Sequence, residues 1–177
     1  MRLYTIIFCI FGCYLVAADH SNLTIILCPD GYRHFRQTDI CFKLVRADAD
    51  VSALEARRAC IRSHDGVLSS VHGLAENDFV LELAREMGID SFWLGGYVDA
   101  KVGGWKWYDD SQNDFENNWT DQPRNGTEKA YLYMLSGKAA SFFGDWAIGD
   151  DRARLPAFLC RTPSMTKLFQ VSIVYNH

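Results

Sequence analysis

Between residues 52 and 88 the apolar positions recur with helical spacing, and each periodic stretch carries its own start and stop signals. Ser52 and Glu55 have the spacing of a capping box, in which each side chain satisfies an orphan amide of the first turn. Ala56 and Cys60 follow one turn apart on one face, and Gly66 is a natural stop. A second helix is predicted over residues 74–87, where Phe79, Val80, Leu83 and Met87 repeat at helical spacing and Gly88 ends the run. Such a stripe predicts core. After Gly88 the period shortens to that of strands, predicted at residues 91–98, 105–108, 130–135, 140–146 and 155–161. A polar, acidic loop from Asp109 to Thr127 interrupts them. Ahead of the helices, residues 28–44 read as a hairpin, with turns at Pro29-Asp30-Gly31 and Gln37-Thr38-Asp39. Two helices followed by a strand-rich half define an α+β layout.

The 177 residues suffice for one domain with a sizeable core. The formal charge is −4 and no basic run could track a phosphate backbone, which argues against nucleic acid as a partner. Residues 1–18 read as a secretory leader: Arg2 supplies the positive start, residues 3–16 are apolar, and Val16 and Ala18 suit a cut before Asp19. The run is short for a membrane anchor, and no later stretch is long and apolar enough to span; the patch over residues 168–175 also lacks the length of a lipid-anchor signal. The expected organisation is therefore a leader (1–18), a short segment (19–27), one domain (28–162) and a tail (163–177).

Of the six cysteines, Cys9 and Cys13 leave with the leader and Cys28, Cys41, Cys60 and Cys160 remain. An even number in an exported chain implies disulfides, with three pairings open. No two of them have the close spacing of a zinc site. Sequons at Asn22, Asn118 and Asn125 suit an exported glycoprotein. Enzymatic signals are absent: none of the five histidines sits in a recognisable metal or nucleophile motif.

The order of these pieces resembles the C-type lectin-like domain, over nearly all of residues 28–161. The resemblance rests on Cys28-Pro29-Asp30-Gly31-Tyr32 with Cys41-Phe42, on Ala56 to Cys60 followed by residues 66–72, and on Glu76 to Val80. It continues through Phe92-Trp93-Leu94-Gly95-Gly96, Trp105-Lys106-Trp107, Asp110 to Trp119, Trp146, and Phe158-Leu159-Cys160. The amino-terminal hairpin is similar to that of the family's long form, and the single-domain secreted arrangement to invertebrate members, nematode proteins among them. The resemblance implies two helices packed on small antiparallel sheets with a long irregular loop, and bridges Cys28–Cys41 and Cys60–Cys160. The longer bridge would close about 100 residues, which the chain-entropy picture values at about 4.7 kcal/mol. Trp93, Trp105, Trp107 and Trp119 are expected in the core rather than on a sugar-stacking platform.

The resemblance also implies an extracellular recognition module, carbohydrate-binding by default. Sugar-binding members hold calcium in the long loop with a Glu-Pro-Asn triplet, a later Glu, and an Asn-Asp pair after a tryptophan. Here the triplet reads Gln122-Pro123-Arg124, Glu128 stands one place out of register, and Ala147-Ile148 follows Trp146. An arginine is donor-only, and calcium needs six to eight oxygens. The expectation is a candidate ligand loop of Gln122, Pro123, Arg124, Glu128 and Trp146, no catalytic or metal residue, and no cofactor, calcium being permitted only with most of its usual ligands missing. Two positions where members carry an inner disulfide fall at Tyr131 and Asp151, so that bridge is absent. The acidic residues nearby (Asp109, Asp110, Asp114, Glu116, Asp145, Asp150, Asp151) read as a solvated surface, with a different calcium site as the alternative. The partner is then a carbohydrate or an extracellular protein surface; a structural role in a secreted matrix is a third reading.

Overall fold

A computed structural model describes residues 21–99, 104–115, 129–137 and 144–171. Residues Leu27–Met165 form one compact unit. Its elements run β2 (Arg33–Phe35), β3 (Ile40–Val51), α1 (Ala53–Ser63), β4 (Val67–Leu68), α2 (Leu74–Met87), β5 (Ser91–Asp99), β6 (Gly104–Trp107), β7 (Tyr131–Leu135), β8 (Trp146–Gly149) and β9 (Leu155–Pro163). The remaining two strands, β1 (Ser21–Leu27) and β10 (Met165–Val171), pair in a two-stranded sheet of their own. These two fall in stretches read from sequence only as a short segment and a tail.

Helix α1 starts at the expected capping box but ends at Ser63, with His64 as its C-cap, ahead of the expected stop at Gly66; α2 runs over the expected residues 74–87. At α1 the Ser52 hydroxyl accepts from the Glu55 amide at 3.3 Å, and the Glu55 carboxylate accepts from the Ser52 amide at 2.8 Å. Donation from the Ser52 amide and hydroxyl, with Arg154 alongside, holds the Glu55 carboxyl below its usual range. Helix α2 ends at Gly88, whose amide bonds to carbonyls of the last turn.

The larger sheet has the order β2-β3-β9-β5-β7-β8, with β4 added to β9 and β6 to β5. The β3–β9 ladder is antiparallel from Ile40↔Pro163 to Arg46↔Ala157, then shifts register to Val51↔Leu155. β5 meets β9 in parallel at Trp93↔Phe158. The central strands are apolar on both faces because the sheet separates two cores. On one face Phe42, Leu44, Phe92, Leu94 and Leu159 pack with Val80, Leu83 and Ala84 of α2. On the other Cys41, Trp93, Phe158 and Cys160 pack with Ala53, Ala56 and Cys60 of α1. Gly95 lets β5 cross beneath the link that follows β4: its amide donates to the Ser69 carbonyl at 2.7 Å, and a Cβ there would collide with the Leu68 carbonyl oxygen.

Two expectations need correction. Met87 is not core: it is 39% exposed at the end of α2, beyond the stripe that faces the sheet. Of the strand read over residues 140–146, only 144–146 are described, and there β8 starts at Trp146 and runs to Gly149. Gly144 has φ +84°, a left-handed turn that breaks any strand through it.

Candidate functional site

The four cysteines are bonded as Cys28–Cys41 and Cys60–Cys160, with Cα separations of 5.7 and 5.5 Å that suit unstrained bridges. Gln122, Pro123, Arg124, Glu128, Asn118, Asn125 and Trp119 lie outside the described residues, and Asn22 lies in β1. The stem of the candidate ligand loop comprises the described residues that lead into it, 109–115, and the strands on either side.

Trp146 belongs to the floor of that stem rather than to a ligand surface. It is 1% exposed, and its indole Nε1 donates to Asn77 Oδ1 of α2 at 2.9 Å. Burial of so large an apolar ring, with its one polar atom bonded inward, makes it a core residue. Trp107 meets it edge-on at 5.7 Å between ring centroids, and Phe115 does so at 5.6 Å. Trp93 and Trp107 are buried, as expected, and Trp105 is half-buried against the same core. Above this floor is a shallow recess lined by Gly96, Trp105, Trp107, Asn113, Leu132 and Trp146, with room for little more than a water molecule and none for a drug-sized ligand. After Trp146, Ala147 is buried and Ile148 half-buried within β8, and neither has a side-chain oxygen.

A polar cluster ties the stem to the core. Ser70, in the link between β4 and α2, is fully buried. Its hydroxyl lies 2.6 Å from Asp109 Oδ2 and 2.9 Å from His72 Nε2, and it accepts from the Arg161 guanidinium of β9. Arg161 stands 3.5 Å from Asp109 as well. The other nitrogen of His72, Nδ1, is 2.6 Å from Asp114 Oδ1. Ser111 donates its amide at 3.1 Å and its hydroxyl at 2.5 Å to Asp109 Oδ1. Burial alone would raise the Asp109 carboxyl, but bonds from Ser111 and Ser70, with Arg161 beside it, outweigh that and hold it below the usual range. The His72 bond likewise lowers Asp114. Beneath them the buried Glu76 carboxylate accepts from the His72 amide at 2.8 Å and from the Thr38 hydroxyl at 2.9 Å, joining the hairpin turn to the start of α2.

Sequence reasoning did not find this cluster. Its members are separated by 39, 42 and 91 positions along the chain, so no local spacing announces them. Asp109, read there as solvated surface, is largely buried and engaged with the core, whereas Asp114 is exposed, as read, and bonded to His72. Among the described residues no group of three or more His, Cys, Asp or Glu side chains is arranged to hold a metal ion. The Ser-His-Asp order of Ser70, His72 and Asp114 does not make a nucleophile: the hydroxyl is buried and already engaged by Arg161 and Asp109.

On the opposite face of the sheet, Tyr97 and Tyr108 stack at 4.4 Å, and the Arg57 guanidinium lies 4.3 Å over the Tyr108 ring. Burial pushes the Tyr108 hydroxyl up to about 12.

Comparison with known proteins matches the family described as Lectin C-type domain to residues 50–162. The chain is similar to mouse proteoglycan 3, 30% identical over 142 residues (75% of this chain, 59% of the relative), and to ladderlectin of Oncorhynchus mykiss, 31% identical over 113 residues (63% and 55%). It is also 26% identical to the rat CD302 antigen over 125 residues (69% and 52%). The chain thus spans about half the length of the curated relatives it matches. Among solved structures it shares the fold of a calcium-independent type II antifreeze protein, with TM-score 0.65 and 21% identity over 80% of this chain and 98% of that one. It likewise shares the fold of the cow CD23 carbohydrate-recognition domain, solved in the presence of a GlcNAc2Man3 oligosaccharide, with TM-score 0.64 and 22% identity over 80% and 99%.

Proposed function

The chain belongs to the C-type lectin domain family, and from that premise we propose that it is an extracellular recognition module that binds carbohydrate without the family's usual calcium site. The domain is residues 28–162, following a leader at 1–18 that is removed on export. The observation that carries this reading is the replacement of calcium-ligating positions within a chain that otherwise keeps the family's pattern over residues 50–162. Where the resemblance expects an Asn-Asp pair after Trp146, Ala147 and Ile148 supply no oxygen and pack into β8. Arg124 puts a cation where a dication would sit, and like unit charges at about 4 Å repel by roughly 1–4 kcal/mol. A glycan on Asn125 would stand beside the same loop. That a calcium-independent antifreeze protein shares the fold supports the view that the scaffold persists without the ion.

Binding, not turnover, is the activity. The test is a glycan array probed with the exported protein, in calcium and then in chelator. Retention of the same glycans in chelator is the expected result. Chelator-sensitive binding abolished by Gln122→Ala or Glu128→Ala would show that the loop builds a calcium site after all. A protein ligand is the second reading, favoured by the Arg57–Tyr108–Tyr97 stack, since arginine and tyrosine are enriched at protein interfaces.

A further inference from the structure

The cluster beneath the loop stem poses a proton-counting problem. Around Ser70 and His72 four contacts must each contain one hydrogen: Arg161 to Ser70, Ser70 to Asp109, Ser70 to His72 Nε2, and His72 Nδ1 to Asp114. Arg161 donates only, and ionised carboxylates accept only. Asp114 therefore takes the proton on His72 Nδ1. Ser70 has a single hydroxyl proton. If the imidazole is neutral, Nε2 bears a lone pair and competes with Asp109 Oδ2 for that proton. Whichever loses faces the Ser70 oxygen, at 2.9 or 2.6 Å, with no hydrogen between. If the imidazole is doubly protonated, Nε2 donates to Ser70, Ser70 donates to Asp109, and every contact is filled. The charges then also balance, two cations (Arg161 and His72) against two carboxylates (Asp109 and Asp114). The only other charged group bonded to this link among the described residues is Glu76, which engages the backbone amide of His72 rather than the ring.

We infer that His72 is the positioning residue of the loop stem: carrying both protons it fastens residues 109–115 to the core through Ser70 and Asp114, and losing one it lets them go. Histidine is the side chain whose charge changes across physiological pH, so the stem becomes a pH-dependent fastening. This deepens the recognition reading, on which it rests only for its effect on ligand; the fastening itself is independent of what the loop binds. A loop held at acid pH and loosened toward alkaline pH would capture its ligand more tightly in the acid range, since preorganisation removes part of the ordering cost of binding.

The experiment is backbone amide exchange of the disulfide-intact chain, corrected for the intrinsic pH dependence of exchange, at about pH 5.5 and about pH 8, which bracket the range where imidazole changes charge. The expected result is that amides of Ser111 to Phe115 are more protected at the lower pH by about five- to tenfold, the change in open population that one ordinary hydrogen bond supplies. His72→Gln, which keeps a donor and an acceptor but cannot change charge, should abolish that difference while the amides of α1 and α2 keep theirs. Asp114→Asn, at an exposed position, should reduce it. Equal protection of the stem at both pH values in the native protein overturns the inference, and so does a pH effect that survives in His72→Gln. Failure of any glycan to bind would sink the recognition reading and leave this result standing.

Discussion

The two helix-to-strand junctions of this domain are fastened by opposite means. Helix α1 is joined to β9 by the Cys60–Cys160 bridge and sealed at its start by the Ser52–Glu55 capping box. The loop stem, near the start of α2, is held by Ser70, His72, Asp109, Asp114 and Arg161, all through hydrogen bonds and ion pairs. A covalent bridge does not respond to mild changes of pH, whereas a cluster built on an imidazole does. The contrast teaches where this fold keeps rigidity and where it leaves room for adjustment: the disulfides secure the frame, and the polar cluster sets the approach to the loop.

The largest effect should come from the covalent side. Replacing Cys60 and Cys160 together by Ala is expected to cost roughly 2–5 kcal/mol, measured by denaturant unfolding against the disulfide-intact chain. A loss below that range would mean that the β3–β9 ladder alone secures the frame, and the contrast would collapse. On the stem side, Asn77→Ala removes the acceptor of the Trp146 indole and one donor to the Gly144 carbonyl. Breaking a buried bond of this kind should cost about 1–3 kcal/mol, read from the same curves. Ser52→Ala should cost about 1 kcal/mol, because it orphans a first-turn amide of α1; an unmoved midpoint would show that another group caps the helix.

A last test is one of pH, and it separates the regions most cleanly. Tyr32 donates its hydroxyl to the His64 carbonyl at the end of α1, at 2.5 Å. Burial, with Asp65 nearby, pushes it up to about 12 from an ordinary 10. Above pH 10 the unfolded chain releases this proton and the native one keeps it, so stability falls as pH rises from 10 toward 12. Spectrophotometric titration should find tyrosines that ionise late, with unfolding of the α1 side following. Loosening of α1 near neutral pH, where the stem is expected to respond, would refute the division.

Much of the frame was legible because it is written locally. The capping box occupies four consecutive positions, Gly88 closes a stripe of helical period, and the short apolar run of residues 91–98 marks a strand. Failures arose where a single residue overrides a pattern or where partners are remote. Gly144 turns the chain just before Trp146, so an apolar run that reads as one strand is interrupted. Met87 keeps the helical spacing but sits at the last turn of α2, where its side chain is exposed. The strand pair β1–β10 joins stretches at opposite ends of the chain, neither of which is distinctive alone. The stem cluster is the extreme case. A lone histidine such as His72 carries no local signature, and only the folded chain brings it between Ser70 and Asp114.

The β3–β9 ladder, finally, governs the order in which the chain can assemble. It pairs residues 40–46 with residues 157–163, so the strand at the centre of the sheet is nearly the last part of the domain to emerge during synthesis. Until then β3 presents an unpaired edge and both cores lack their shared wall. Contacts of such long sequence separation slow folding and leave apolar strands exposed meanwhile. A chain stopped shortly before Leu155 would hold both helices and yet lack the strand that joins β3 to β5, which makes β9 the step that commits the domain to its native state.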